Sequence, residues 1–484
     1  MVKNPFLWWV THITKFSRKY FYPFLLLLLA LILTRLPFFG SGYGADEDAW
    51  RVARASSNIW QKGHYEVSRE PGYPLYEIAN APLWALGGSW AMSVATFVAF
   101  LFSLWAFYRL LNLTQARSRK VLVLLFAFLP LFWPNSATSM DYIWDLALLL
   151  WAAVFLFQGR SILAFSLIGL SVGFRPNGAV MFLPCVVYML WMKKGWQSII
   201  IYLVMGISIG LVAYSPALLT YGPSIFRFVP SARSPLEHLL SLGWKAISGL
   251  GTFGTLTVIL SLVLSWRTML DRIVSDRFIK VYLTFTGILS LPFLIIPYES
   301  AYLIPALPWL FLFLGRVLKP RVLGIVAAAV VFSGFWDVRF HQRVEGKPVF
   351  APRLETGRIL EDYSRRREIL TFRQVLPSYP FPEPSLLILG WEEMFWFENF
   401  RVEPYPLDLV GDPNAHRIRG KEVYIVYLIP EDGARRAVSK GLKLIYLDGV
   451  EHYNRRVTGF DPAQEGGLRL TMTEVLNPSR PSHP

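Results

Sequence analysis

Eleven apolar runs, each long enough or nearly long enough to cross a bilayer, govern what this 484-residue chain can fold into. A spanning helix needs about 20 mostly apolar residues, fewer where neighbours shield it or the bilayer thins. The runs are 20–39, 90–112, 121–135, 140–158, 161–174, 177–192, 197–219, 246–266, 280–297, 301–315 and 321–337. They predict a mainly α, polytopic membrane protein. The composition agrees, with 54% hydrophobic residues, 16% aromatic residues and a mean hydropathy of +0.39. The fifth and sixth runs are separated only by Arg175-Pro176. Pro176 cannot continue a helix and pushes Arg175 out of the α region, which leaves two short spans or one broken helix.

The chain holds 48 Lys+Arg against 33 Asp+Glu, a balance that alone would suit nucleic-acid binding. Placement of the charges decides otherwise. With the N-terminus inside, the cytoplasmic segments carry 18 basic residues against two acids, Asp271 and Asp276, while the outer connections carry 8 basic residues. From Arg339 onward 21 Lys+Arg face 20 Asp+Glu. The excess charge therefore follows the positive-inside rule and gives no nucleic-acid footprint. Eleven spans put the C-terminus outside, so the expected location is the plasma (inner) membrane, multi-pass, with a cytoplasmic N-terminus. Lys3, Lys15, Arg18 and Lys19 precede the first apolar run, and Gly42-Tyr43-Gly44-Ala45 is a weak cleavage site, so a retained first helix is expected. The single cysteine, Cys185, lies in an apolar run and allows neither an intrachain disulfide nor a cysteine-based zinc site.

Two parts are expected: a transmembrane region over 1–337, including a first outer loop at 40–89, and a small C-terminal extracytoplasmic α/β domain over 338–484. In the latter, β-forming runs at 385–389, 422–428 and 443–447 alternate with helical stretches at 391–400 and 431–440. An Arg-rich helix at 361–373 links this domain to the membrane, and 461–484 is expected to fray.

The first outer loop is long and polar for a mere connector. It begins with Asp46-Glu47-Asp48, and 46–60 reads as an interfacial helix with Trp50, Ala53, Ser57 and Trp60 on one face and Arg51 and Arg54 on another. The acids have a plain structural explanation, since carboxylates suit a helix N-terminus. At a membrane surface one of them can also act as a general base or hold a divalent cation. Asp141 opens the fourth run, where an N-cap role is equally open, and Asp145 lies one turn deeper, where capping is not. Arg35 and Arg175 stand at outer-leaflet depth. Arg35 suits snorkelling or pairing with an acid, whereas the helix break at Arg175 is tolerated only where it lines protein or a wet cavity. Guanidinium groups there suit a phosphate. Glu299 and Tyr302 lie in a short outer turn. These segments converge on one membrane face.

Those residues resemble the GT-C superfamily of polytopic membrane glycosyltransferases, which includes protein O-mannosyltransferases and aminoarabinose transferases. The likeness lies in Thr34-Arg35-Leu36-Pro37, in Asp46-Glu47, and in Pro71-Gly72-Tyr73-Pro74-Leu75-Tyr76. Gly173-Phe174-Arg175-Pro176 and the stretch from Glu299 through Tyr302 to Pro305 extend it. The resemblance covers roughly 1–337. It implies a polyprenyl-phosphate-linked sugar donor and transfer to an acceptor hydroxyl on the extracytoplasmic face, usually with inversion. It makes Asp46 the catalytic base or metal-proximal acid, with Glu47 and Asp48 beside it. Asp141 then matches a second-loop acid, and Arg175, with Arg35, contacts the donor phosphate. Because three acids run together, Asp48 competes with Asp46 for the same role. A divalent cation, Mg2+ or Mn2+, would have Asp46 and Asp141 as ligands. The acceptor is a lipid, protein or glycan. A transporter or flippase of lipid-linked sugars, or a non-catalytic scaffold subunit, is the alternative; midplane breaks and internal repeats would favour a transporter, and the sequence shows no repeat.

Overall fold

The computed structural model describes residues 18–226, 235–297, 299–344, 347–396, 398–399, 401–405 and 415–476. Lys3, Lys15, Arg227, Arg233 and the predicted frayed end beyond 476 lie outside the described residues. Helix occupies every predicted apolar run. The helices are α1 (Arg18–Phe39), α2 (Glu47–Lys62), α3 (Pro74–Leu113), α4 (Arg119–Ala127), α5 (Tyr142–Phe157), α6 (Ser161–Phe174) and α7 (Phe182–Trp191). They continue as α8 (Trp196–Tyr221), α9 (Pro235–Leu250), α10 (Thr252–Leu264), α11 (Trp266–Ser275), α12 (Arg277–Leu289), α13 (Leu307–Val317) and α14 (Pro320–Ser333). Among the described residues four helices are long and apolar enough to cross a membrane unbroken, and α9 with α10 forms a pair bent by 93°. Leu219, Leu264 and Val212 are 85%, 77% and 73% exposed. Apolar side chains turned outward along helices apolar on every face suit a lipid surround.

Breaks in the helical runs have local reasons. The run 121–135 is not one helix: α4 ends at Ala127, and Pro130 and Pro134 limit the rest of the run to a single helical turn, Phe132–Asn135. The run 246–266 breaks at Gly251, whose φ of +76° favours glycine, and its 93° bend separates α9 from α10. Asp337 caps the new helix start, its Oδ1 accepting from the Thr252 N–H at 2.8 Å. At the predicted Arg175 break the residue is extended (φ −157°, ψ 116°), and Pro176–Met181 forms a 3-10 turn leading into α7. The expected span 90–112 is the second half of the longer α3, which kinks at Gly87-Gly88.

Small residues let α6 and α8 approach closely. A Cβ on Gly169 of α6 would lie 2.2 Å from the Gly206 carbonyl oxygen of α8, so the two backbones touch.

Beyond α14 the chain forms an antiparallel hairpin of β1 (Trp336–Val344) and β2 (Lys347–Thr356), then α15 (Arg358–Val375). The hairpin was not predicted; α15 is the Arg-rich helix, longer than expected. Arg366 on α15 is fully buried and donates to the Ala137 carbonyl at 3.1 Å, to Thr138 Oγ1, and to Asp362 at 2.7 Å. It satisfies backbone groups released where the helical run breaks before α5. The rest of the chain builds a six-stranded sheet. Its strands are β3 (Ser385–Ile388), β4 (Val402–Pro404), β5 (His416–Ile418), β6 (Val423–Val426), β7 (Lys443–Leu447) and β8 (Leu468–Leu470), in the order β4-β5-β6-β3-β7-β8. β6, β3, β7 and β8 are parallel, with β4 and β5 antiparallel at one edge. The three expected strands are its centre. Residues 461–476, expected to fray, instead supply the edge strand β8 and a closing turn of helix.

Candidate active site

Asp46 sits in extended conformation before α2, and its Oδ1 accepts from the Asp48 N–H at 2.8 Å. It is the N-cap, as its position suggested. Trp50 Nε1 donates to the Gly44 carbonyl at 3.1 Å, and Ser139 N–H donates to the Tyr43 carbonyl at 2.9 Å. These bonds tie the acidic turn to the start of α5. Trp50, Ala53 and Ser57, expected with Trp60 on one interfacial face, are instead buried within the protein, and Trp60 is exposed.

One chain of ion pairs then runs through the site. Asp48 Oδ2 lies 3.2 Å from Arg69 Nε, Arg69 Nη2 reaches Asp141 Oδ1 at 2.7 Å, and Asp141 Oδ2 pairs with Arg175 Nη1. The Arg175 guanidinium lies 4.0 Å from the Tyr142 ring centroid and 5.1 Å from that of Tyr302. The Tyr142 hydroxyl donates to Glu299 Oε2 at 2.7 Å. Asp145 is buried beside this group, and its Oδ1 accepts no hydrogen bond. Gly178 gives it room, since a Cβ there would lie 2.8 Å from that oxygen.

Asp46, Glu47, Asp48, Asp141, Asp145, Arg175, Glu299 and Tyr302 are thus neighbours or share partners. Arg35 does not join them. It is fully buried where α4 breaks, donating to the Ala127 carbonyl and lying 4.2 Å from the Trp133 ring centroid. It holds α1 to that break, apart from the chain of ion pairs. Arg69 stands in the cluster instead. Nothing but its nearness to the Pro71–Tyr76 motif marked it in the sequence. Its Nη1 is buried and has no acceptor. Arg358 of α15, also missed, donates to Ser300 Oγ at 2.6 Å.

A cleft of about 880 Å³ opens beside Asp46, bounded by Glu299, the bend between α9 and α10, and α15. Burial, then the nearby carboxylates of Glu47, Glu299 and Asp48, push the Asp46 carboxyl well above the ordinary carboxylate range. Burial likewise raises Glu47. Carboxylate oxygens of Asp46, Glu47 and Asp48 lie within 4.8 Å of one another, close enough to share a cation. Asp141 does not fit the metal role expected of it, because both its oxygens face guanidinium groups.

No protein family and no curated protein sequence matches the chain. Two solved structures do, both of ArnT from Cupriavidus metallidurans. The apo state matches over 76% of this chain and 82% of that one, with a TM-score of 0.51 and 15% identity. The state bound to undecaprenyl phosphate matches over 78% and 84%, with a TM-score of 0.53 and 13% identity. The fold is like that of ArnT. The GT-C likeness read from Thr34–Pro37, Asp46-Glu47 and Pro71–Tyr76 therefore holds at the level of fold. Those motifs now have places in it. Asp46 opens the amphipathic α2, Pro74 opens α3, and Arg175 forms the break between α6 and the turn before α7.

Proposed function

We propose that this chain is a membrane glycosyltransferase that moves a sugar from a polyprenyl-phosphate donor to an acceptor hydroxyl on the extracytoplasmic face. The observation that carries this reading is the arginine pair, Arg69 and Arg175, bridged by Asp141 and joined through Asp48 to the acidic turn at Asp46. The ArnT structure with undecaprenyl phosphate supports the class of donor.

In this mechanism Asp46 accepts the proton of the acceptor hydroxyl. The oxygen attacks the anomeric carbon, and the bond from that carbon to the phosphate oxygen breaks with its electron pair on the phosphate. Charge growing on that leaving group is met by Arg175 and by Arg69, whose Nη1 is the donor without an acceptor. Asp141 holds both guanidinium groups in place from the start of α5. A divalent cation, where one binds, would be held by Asp46, Glu47 and Asp48 and would add positive charge at the same phosphate. The topology that goes with this reading has eleven spans, with the N-terminus cytoplasmic and the C-terminal α/β unit outside.

The test uses the full chain in lipid nanodiscs with undecaprenyl phosphate as probe. Arg69→Ala and Arg175→Ala are each expected to weaken binding about 10- to 100-fold, the range for losing a hydrogen bond to a charged group. Unchanged binding in the double variant would falsify the phosphate assignment.

A further inference from the structure

Glu77 is a fully buried carboxylate to which the proposed mechanism gives no part. It stands in the first turn of α3, just past the loop segment that carries Arg69. Its two oxygens accept four hydrogen bonds. Oε1 takes the Ser68 N–H at 2.7 Å and the Ser68 hydroxyl. Oε2 takes the Tyr65 hydroxyl at 2.5 Å and the Tyr73 N–H at 3.2 Å. A carboxylate taken out of water is costly unless donors surround it, and all four of these donors come from one stretch of loop. A helix-start role accounts for the Tyr73 N–H alone. The other bonds reach back nine residues to Ser68 and twelve to Tyr65.

The chain is thereby fixed on both sides of Arg69. Ser68 directly precedes it. Tyr73 follows four residues later, and its ring centroid lies 4.2 Å from the Arg69 guanidinium. The same loop is also tied to α8, where the Tyr214 hydroxyl donates to the Pro71 carbonyl and the Val67 N–H donates to the Tyr221 hydroxyl at 3.2 Å. An arginine on a loose loop loses freedom when it meets a ligand, and holding it beforehand lowers that cost.

We propose that Glu77 is a positioning residue of the donor site: it locks the loop over residues 65–73 so that Arg69 meets the polyprenyl phosphate already in place. The inference rests on the transferase reading, through the assignment of Arg69 to the phosphate, and adds a residue that acts only through Arg69.

The chemistry of the four bonds supplies the variant. Each Glu77 oxygen faces one backbone N–H, which donates and never accepts. Glu77→Gln keeps the size of the side chain but turns an amide NH2 onto one of those donors. Undecaprenyl phosphate binding to the full chain in nanodiscs is then measured across a cycle of variants. Glu77→Gln is expected to weaken binding about 2- to 10-fold, the range for one ordinary hydrogen bond. In the Arg69→Ala background the same change is expected to weaken it by less than about two-fold, because a residue acting through Arg69 has nothing left to position. In the Arg175→Ala background the full effect is expected to remain. Tyr65→Phe combined with Ser68→Ala removes only the two hydroxyl donors and keeps both backbone bonds. This milder pair is expected to show the same pattern, and it carries the test if Glu77→Gln does not fold. Equal weakening with and without Arg69, the result of a general loosening of the fold, overturns the inference. So does unchanged binding in Glu77→Gln while Arg69→Ala weakens it, and then the transferase reading stands. If Arg69→Ala itself leaves binding unchanged, Arg69 loses its place at the phosphate and the inference falls with it.

Discussion

Asp46 and Asp48 are two residues apart, equally acidic, and indistinguishable by residue type. Their partners separate them. Asp48 is tied to Arg69 at 3.2 Å and lies 3.9 Å from Arg51, so its charge serves to hold cations in place. Asp46 lines the cleft, and its shifted carboxyl is suited to taking a proton. Asp46→Asn is therefore expected to lower kcat by about 10²- to 10⁴-fold. Asp48→Asn should act mainly on donor KM, by loosening Arg69; steady-state assays with varied donor resolve the two. The direction of the Asp46 shift also sets a pH dependence. A base works ionised, so kcat/KM rises with pH through the raised pKa of Asp46, above the 3.8 of an ordinary aspartate. Folding stability runs the other way. The contribution of Asp46 is fully present below the unfolded value and is lost as pH rises through the folded one. An acid limb at the ordinary carboxylate value would remove Asp46 from the role of base. Arg35 and Arg175 show what residue type and depth leave open. Both sit at one depth in the sequence pattern, and the break at Ala127, invisible to hydropathy, turned Arg35 to packing.

At the scale of elements the sequence was read well where one physical rule dominates. Apolar length located the helices, and short apolar runs of β-formers marked β3, β6 and β7. It was read poorly where a tertiary partner decides. The hairpin of β1 and β2 does carry a strand signal, Trp336, Val338 and Phe340 alternating with Asp337, Arg339 and His341, but it overlaps the end of the apolar run 321–337, and β8 exists because β7 offers it an edge. The bend at Gly251 depends on Asp337 capping from 85 residues away. Arg69 escaped notice because its two acids, Asp48 and Asp141, come from opposite sides of α3 in the chain. The helix contact at Gly169 gives a test at this scale. Gly169→Ala places its Cβ against a backbone oxygen that cannot yield, and is expected to destabilise by about 1–3 kcal/mol. Gly243→Ala, on α9 with open space around it, should be neutral or slightly stabilising. Thermal unfolding of the purified variants in one detergent compares them. Equal midpoints would show that α6 and α8 are free to move apart.

Across the whole molecule, the α/β unit is held to the membrane helices at several points. Besides Arg366, Glu398 accepts from the Tyr43 hydroxyl at 2.6 Å and from Trp84 Nε1, and the Trp50 and Phe395 rings lie 5.6 Å apart. These contacts reach the same turn that carries Asp46, so whichever face of the membrane holds the acidic turn also holds the sheet. That coupling turns the topology into one experiment. The proposed topology, with the basic segments inside, puts the first outer loop, and with it the sheet, outside. A protease-cleavable tag fused after Pro484 is expected to be cut in intact spheroplasts, and a cysteine-reactive, membrane-impermeant label is expected to reach Trp60→Cys, since Trp60 is 55% exposed on α2. The buried Cys185 gives the background for that label. The two readouts must agree, because Glu398 and Arg366 fix the sheet and the loop to one another. Protection of both would invert the topology and move the proposed chemistry to the cytoplasmic face; accessibility of only one would mean that the interface built by Tyr43, Glu398 and Arg366 does not persist in the membrane.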